Sequence, residues 1–197
     1  QGSGVDAALN ERGRAQAQKL AMALAPQPMD WVASSNLVRS VETADIIFAA
    51  QGSATRDTVP KRKQMDLLGE MFYGSLEGVP IAESRSAIDA LDQAWKGGDT
   101  SVRVGGDGES PDELLIRARA ALWGDEEGIM RSVGVGEHVA VVAHSTFNKC
   151  AIADCSGAAL GGFMAVPQDN ACVNIFDCLH DGSELKVTVV ALNLKAA

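Results

Sequence analysis

The sequence has no run approaching the ~18 consecutive apolar residues that a membrane span requires, so a membrane partner is not expected. It has no excess of positive charge. With 17 Lys and Arg against 26 Asp and Glu, the net charge of −9 argues against a general nucleic-acid surface, which needs a basic patch. Cys150, Cys155, Cys172 and Cys178 form no C-x-x-C pair and lack a companion histidine pattern, so no metal site is expected, and buried free thiols fit better. That usage favours a reducing compartment, and a cytoplasmic location is the expectation. Neither an internal repeat nor a low-complexity segment is present, and the opening residues have no initiator methionine and no signal-peptide character.

What is present is an ordinary soluble composition, 46% hydrophobic and 22% charged, over 197 residues. That length suits one good-sized core, and a single domain over residues 1–197 is expected. An acidic chain can still bind a small anion, because a local cluster of Arg and His acts through short charge-assisted hydrogen bonds.

The strongest local signal is Val139 to Ala143, five apolar residues followed by His144, Ser145 and Thr146. Such a run reads as a strand covered on both faces. Polar groups where it ends would lie at the carboxyl edge of a parallel sheet, where open α/β folds bind ligands. A loop histidine that merely follows a strand is the competing reading.

Elsewhere Leu9-Asn10-Glu11-Arg12-Gly13 leads into a predicted helix whose apolar positions, Ala17, Leu20, Ala21 and Leu24, follow helical spacing and which Pro26 and Pro28 end. Asp30–Ser35 reads as a short strand, turning through Ser35 or Asn36 as N-cap into a helix through Phe48. Arg39 then stands in the first turn of that helix, where free N–H groups and the dipole favour anions. A surface salt bridge is the alternative for it.

Gly52–Gln64 reads as polar turns, and the glycine-spaced Leu67–Gly78 as an irregular segment. In the latter, Glu70 beside Met71, Phe72 and Tyr73 is either a solvated loop residue or a partly desolvated carboxyl suited to proton donation. Helices are expected over Ile81–Trp95 and from Ser110 to Trp123, the second opened by a capping box of Ser110 and Glu113 with Pro111 at the first position. Between them Lys96–Gly108 reads as a mobile glycine-rich loop. An apolar helix from about Asn148 to Asp154 follows, then strands over Ala171–Cys178 and Leu185–Leu194 joined by hairpin chemistry at His180–Ser183.

The order of elements predicts an α/β fold: a three-layer α/β/α sandwich with a mostly parallel central sheet and an antiparallel edge strand. Short right-handed connections put Arg39 and His144 on one edge of that sheet.

Taken together, several segments resemble the histidine phosphatase superfamily, also called phosphoglycerate mutase-like. Leu9-Asn10-Glu11-Arg12-Gly13-Arg14-Ala15 is similar to the helix start that follows the family's nucleophile, and Ser34-Ser35-Asn36-Leu37-Val38-Arg39-Ser40-Val41-Glu42-Thr43-Ala44 to its S-S-D-L-x-R-A-x-x-T-A segment. Glu70 to Gly78 resembles E-x-x-x-G-x-x-E-G, Gly108-Glu109-Ser110 with Arg117 the G-E-S helix start, and Val141-Val142-Ala143-His144-Ser145 the V-V-S-H-G strand end. Ser145 and Thr146 stand where glycine and a variable residue are common.

The resemblance implies phosphoryl transfer through a phosphohistidine, without cofactor or metal. It makes Arg39 and His144 the holders of the phosphoryl group, Ser145 a backbone donor to it, Glu70 the general acid and base, and Tyr73 and Asn10 substrate contacts. The family's Arg-His-Gly nucleophile motif does not occur in these residues: His138 and His180 lie in the wrong context. Because Gln1-Gly2 resembles the loop after that motif, the expectation is that the motif and its strand precede Gln1. The region between Glu70 and Glu109 is short, with only Lys96, Arg103 and Arg85 as basic candidates for a substrate carboxylate. Hydrolysis of a small phosphorylated metabolite is therefore favoured over phosphoglycerate mutase activity, and a non-catalytic phosphate-binding module is the third reading. A homodimer is an open expectation.

Overall fold

The computed structural model describes residues 2–51, 60–124, 128–180 and 185–196. Helix α1 (Glu11–Leu24) leads to strand β1 (Trp31–Ser34), helix α2 (Val38–Gln51) and strand β2 (Lys61–Gln64). Two short 3-10 turns, Asp66–Leu68 and Gly74–Leu76, precede helices α3 (Ile81–Lys96) and α4 (Pro111–Trp123). Strand β3 (Val139–Val142) then turns into helix α5 (Ser145–Cys155), and strands β4 (Cys172–His180) and β5 (Leu185–Lys195) end the chain.

Strands β2, β1 and β3 form a parallel sheet in that order, with Ser34 of β1 opposite Gln64 on one side and Val142 on the other. β4 and β5 pair antiparallel as a sheet of their own. The pleat of β1 and β3 explains the layering, because alternate residues point to opposite faces. Ala33, Val139 and Val141 join a core with Leu68, Leu114, Ala118, Phe147 and Phe163, while Val32, Ala140 and Val142 join a second core with Leu20, Ala21, Ala44 and Ile47. One core thus lies under α4 and α5 and the other under α1 and α2, which is the expected sandwich.

Four expectations need correction, the last of them the N-cap of α2. Lys61–Gln64, within the stretch read as turns, is strand β2; its four polar residues carry no apolar alternation, as suits a charged edge strand. The remainder of that stretch, 52–59, lies outside the described residues, as do Gln1 and most of the hairpin connection after His180. Helix α5 begins at Ser145, earlier than expected, so its first turn directly follows His144. The loop between α3 and α4 is not loose: Trp95 Nε1 donates to Val102 O (2.9 Å), Val104 is buried, and Asp107 Oδ1 accepts from Ser75 N (2.8 Å). Gly74, at φ +53°, lies so close to Asp107 and Gly108 that a Cβ there would collide with both. That interlock pins the segment carrying Glu70 to the start of α4.

The other helix starts follow local chemistry. Asn10 caps α1 by accepting from Gly13 N (2.8 Å), and Ser110 with Glu113 forms the capping box of α4. α2 starts at Val38, past Ser35 and Asn36, so neither is its first cap. No helix among the described residues is long and apolar enough to cross a membrane.

Candidate active site

The carboxyl ends of β1 and β3 lie side by side, and each runs straight into a helix. Ser35 N–H donates to Val142 O (3.1 Å) and Ser40 Oγ donates to the same carbonyl (2.7 Å), which ties the β1–α2 junction to the end of β3. Arg39 therefore stands in the first turn of α2 close to His144, the residue just before α5.

Arg39 donates from Nη1 to Val5 O (2.9 Å) and from Nη2 to Gly2 O (3.2 Å), so it straps the first residues of the chain beside the site. Among the described residues it has no carboxylate partner. Its charge is held by neutral carbonyls and stays available to an anion.

His144 is buried, and the imidazole is pushed down from its ordinary 6.5 to about 3, first by burial and then by the Arg39 and Arg117 guanidiniums. Asp6 opposes this weakly. The ring is neutral near pH 7 and so carries one N–H. Its Nε2 lies 2.6 Å from Ser35 Oγ.

The N-terminus of α5 is divided between two uses. Thr146 N donates to Glu70 Oε2 (3.0 Å) and Phe147 N to Glu70 Oε1 (3.1 Å), so Glu70 closes that helix end from 76 residues away. Ser145 N–H has no acceptor among the described residues, which leaves it open to an external anion.

Glu70 itself is 5% exposed, and its Oε1 also accepts from Met71 N (2.8 Å). Burial raises its pKa, while the donors from Thr146, Met71 and Phe147 work the other way; burial is the largest effect. Tyr73 OH lies 2.6 Å from Thr146 Oγ1, and burial with the neighbouring Glu70 charge raises the phenol, which stays protonated. Tyr73, Thr146 and Glu70 thus form one connected group.

Not every candidate converges. Asn10 spends its side-chain oxygen on the cap of α1. His138 sits at the opposite end of β3 from His144, where its N–H donates to Asp30 Oδ2 (2.8 Å).

Two residues acquire roles that their spacing did not announce. Arg117 lies bidentate on Glu109 (2.9 and 2.8 Å) and donates to Leu67 O and Gly69 O (both 2.8 Å), which fixes the backbone leading to Glu70. Glu77 accepts from Gly2 N (3.0 Å), Gly4 N (3.1 Å) and Tyr73 N (3.1 Å) and holds the opening loop against the site. A cleft of about 440 Å³ adjoins the Glu70 side, lined by Ser3, Glu70, Phe72, Arg103, Asp107 and Arg117 among others.

The family profile of the histidine phosphatase superfamily (branch 1) matches residues 1–190. The chain belongs to that superfamily. Among curated members, it is 34% identical over 143 residues to phosphoglycerate mutase-like protein 4 of Arabidopsis thaliana, covering 71% of this chain and 56% of that protein. It is 27% identical over 177 residues to 2-carboxy-D-arabinitol-1-phosphatase of Triticum aestivum, covering 90% and 33%. The chain therefore spans about half the length of the first of these relatives and about a third of the second.

Solved structures with the same fold include a mycobacterial glucosyl-3-phosphoglycerate phosphatase, with TM-score 0.78 and 22% identity over 100% of this chain and 92% of that one. Another is the alpha-ribazole phosphatase of Shigella flexneri, with TM-score 0.70 and 20% identity over 100% and 89%. At such identities the likeness speaks for the histidine phosphatase fold alone.

Proposed function

We propose that this histidine phosphatase domain hydrolyses a small phosphorylated metabolite through a phosphohistidine intermediate. The observation that carries the reading is the meeting of three anion-directed groups at one sheet edge: Arg39 without a carboxylate partner, the neutral His144, and the open Ser145 N–H of α5. These donors would neutralise the equatorial oxygens of the transferring phosphoryl group, where charge spreads in the transition state.

Glu70 would hand a proton to the leaving oxygen and then take one from water. Its burial suits that role, since desolvation favours the protonated carboxyl, and a bound phosphoryl group would favour it further. Tyr73 would contact the substrate from the Thr146 side. The nucleophilic histidine enters this proposal from the family resemblance, so the test uses the full-length protein.

Phosphatase action is preferred to mutase action because two of the three basic candidates between Glu70 and Glu109 are already paired. Arg103 is bound to Glu113 and Lys96 to Asp92 (2.5 Å), so neither offers an uncommitted cation to a substrate carboxylate. The full-length protein should release phosphate from p-nitrophenyl phosphate, and His144→Ala and Arg39→Ala should each lower the rate by at least ~100-fold, the scale of losing one transition-state donor. Near-normal rates in either variant would sink the assignment. Conversion of 3-phosphoglycerate dependent on 2,3-bisphosphoglycerate, faster than phosphate release, would favour the mutase instead.

A further inference from the structure

Ser35 has no part in the proposed chemistry, yet it is completely buried at the end of β1 and within 2.6 Å of His144 Nε2. Among the described residues its hydroxyl has two partners, His144 Nε2 and the N–H of Leu37 at 3.3 Å. Leu37 can only donate, so it takes a lone pair of the hydroxyl oxygen. The remaining question is where the hydroxyl hydrogen goes.

If Nε2 carried the imidazole proton, both partners would donate to Ser35 Oγ, and a buried hydroxyl hydrogen would be left without an acceptor. A buried hydroxyl left without an acceptor is unfavourable, and native structures avoid it. If Nε2 is instead the unprotonated nitrogen, the hydroxyl donates to it and every group is satisfied.

We infer that Ser35 is the positioning residue of His144: its hydroxyl donates to Nε2, fixes the ring as the Nδ1–H tautomer, and presents that N–H to the bound anion. A neutral imidazole has one N–H to give, so an anion-holding histidine works only if the correct nitrogen bears it. The partner on the other nitrogen decides which one that is. The geometry is rigid, because Ser35 N–H is locked to Val142 O and His144 follows that residue by two positions on the same strand end. The tautomer rests on hydrogen-bond accounting alone; its use for holding phosphate rests on the function proposed above.

The two parts separate experimentally. Full-length protein carrying ¹⁵N-labelled histidine, with His144→Gln to identify the signal, should show His144 protonated at Nδ1 and unprotonated at Nε2. Ser35→Ala should abolish that preference and weaken inorganic phosphate binding about tenfold, the equivalent of one ordinary hydrogen bond. A His144 protonated at Nε2 in the unaltered protein overturns the inference, and so does a Ser35→Ala protein with unchanged tautomer. If Ser35→Ala does not fold, the unaltered protein's spectrum decides. Failure of the unaltered protein to bind phosphate overturns the proposed function and leaves the tautomer test standing.

Discussion

Two strand-to-helix junctions sit next to each other at this sheet edge, and each closes its helix with a carboxylate brought from elsewhere in the chain. At the head of α2, Asp6 Oδ1 accepts from Val38 N (2.7 Å). At the head of α5, Glu70 accepts from Thr146 and Phe147. The device is the same, carboxyl oxygens accepting from the free N–H groups at the positive end of a helix. The surroundings differ: Asp6 is exposed, whereas Glu70 is buried. In water the capping carboxylate is a small stabilising contact. In the interior it becomes a group whose proton is held by burial, which is what acid–base chemistry requires.

The comparison is tested most severely at Glu70. Glu70→Ala would leave the N–H groups of Thr146, Phe147 and Met71 without their acceptor in a buried site, at about 1–3 kcal/mol for each unsatisfied group. Because neighbouring losses are not additive, the expected total is about 3 kcal/mol. Urea unfolding should show a lower midpoint at unchanged slope. Glu70→Gln keeps one acceptor oxygen and should lose less stability while losing activity toward poor leaving groups. A Glu70→Ala protein as stable as the unaltered one would remove the buried half of the comparison.

The next effect is on pH. The unfolded chain takes a proton on His144 near 6.5 and the folded chain only near 3, so in that window the unfolded state binds more protons. Stability supplied by the neutral ring is present above pH 6.5 and is lost as pH falls toward 3. Glu70 works in the opposite sense: its raised folded pKa means the folded state keeps a proton that the unfolded state has released, so stability falls as pH rises from 4.5 through the folded value. Between 4.5 and that value the two oppose each other. His144→Gln should therefore flatten the acid loss of stability, and Glu70→Gln should steepen it, both read from urea midpoints across pH 3–7. Unchanged profiles would show that the two groups do not titrate as their burial demands.

At both junctions, what the sequence reveals and what it hides is set by the range of the interactions. His144 was legible because a run of β-branched and small residues announces β3 and its end, and Arg39 because the strand and helix signals around it are local. The capping box of Ser110 and Glu113 was legible for the same reason, since its partners are three residues apart. Glu70 could be singled out as a carboxyl among apolar neighbours, but its union with α5 spans 76 residues and leaves no mark in local spacing. Asp6 on Val38, Arg117 on the backbone before Glu70, and Ser35 on His144 are likewise hidden by long separations in sequence. Strand β2 is hidden on different grounds: Lys61, Arg62, Lys63 and Gln64 are strand by pairing to β1, not by pattern. The anchoring of the loop before α4 depends on Gly74 fitting against Asp107 and Gly108, a shape that glycine content alone does not reveal.

The smallest expected effect belongs to the exposed junction. Asp6→Ala removes the acceptor of Val38 N, but water can take its place, so the loss should be about 0.5–1 kcal/mol, as for other exposed helix caps. Salt sharpens the contrast. At ~1 M ionic strength the screening length shrinks to about 3 Å, so the dipole part of the Asp6 contribution should fade while the cost of Glu70→Ala persists. Measuring both variants by urea unfolding at low and high salt separates a surface charge effect from a buried hydrogen-bond effect. Equal salt sensitivity in the two would mean that burial does not distinguish the junctions, and Glu70 would then have no more claim to proton chemistry than Asp6.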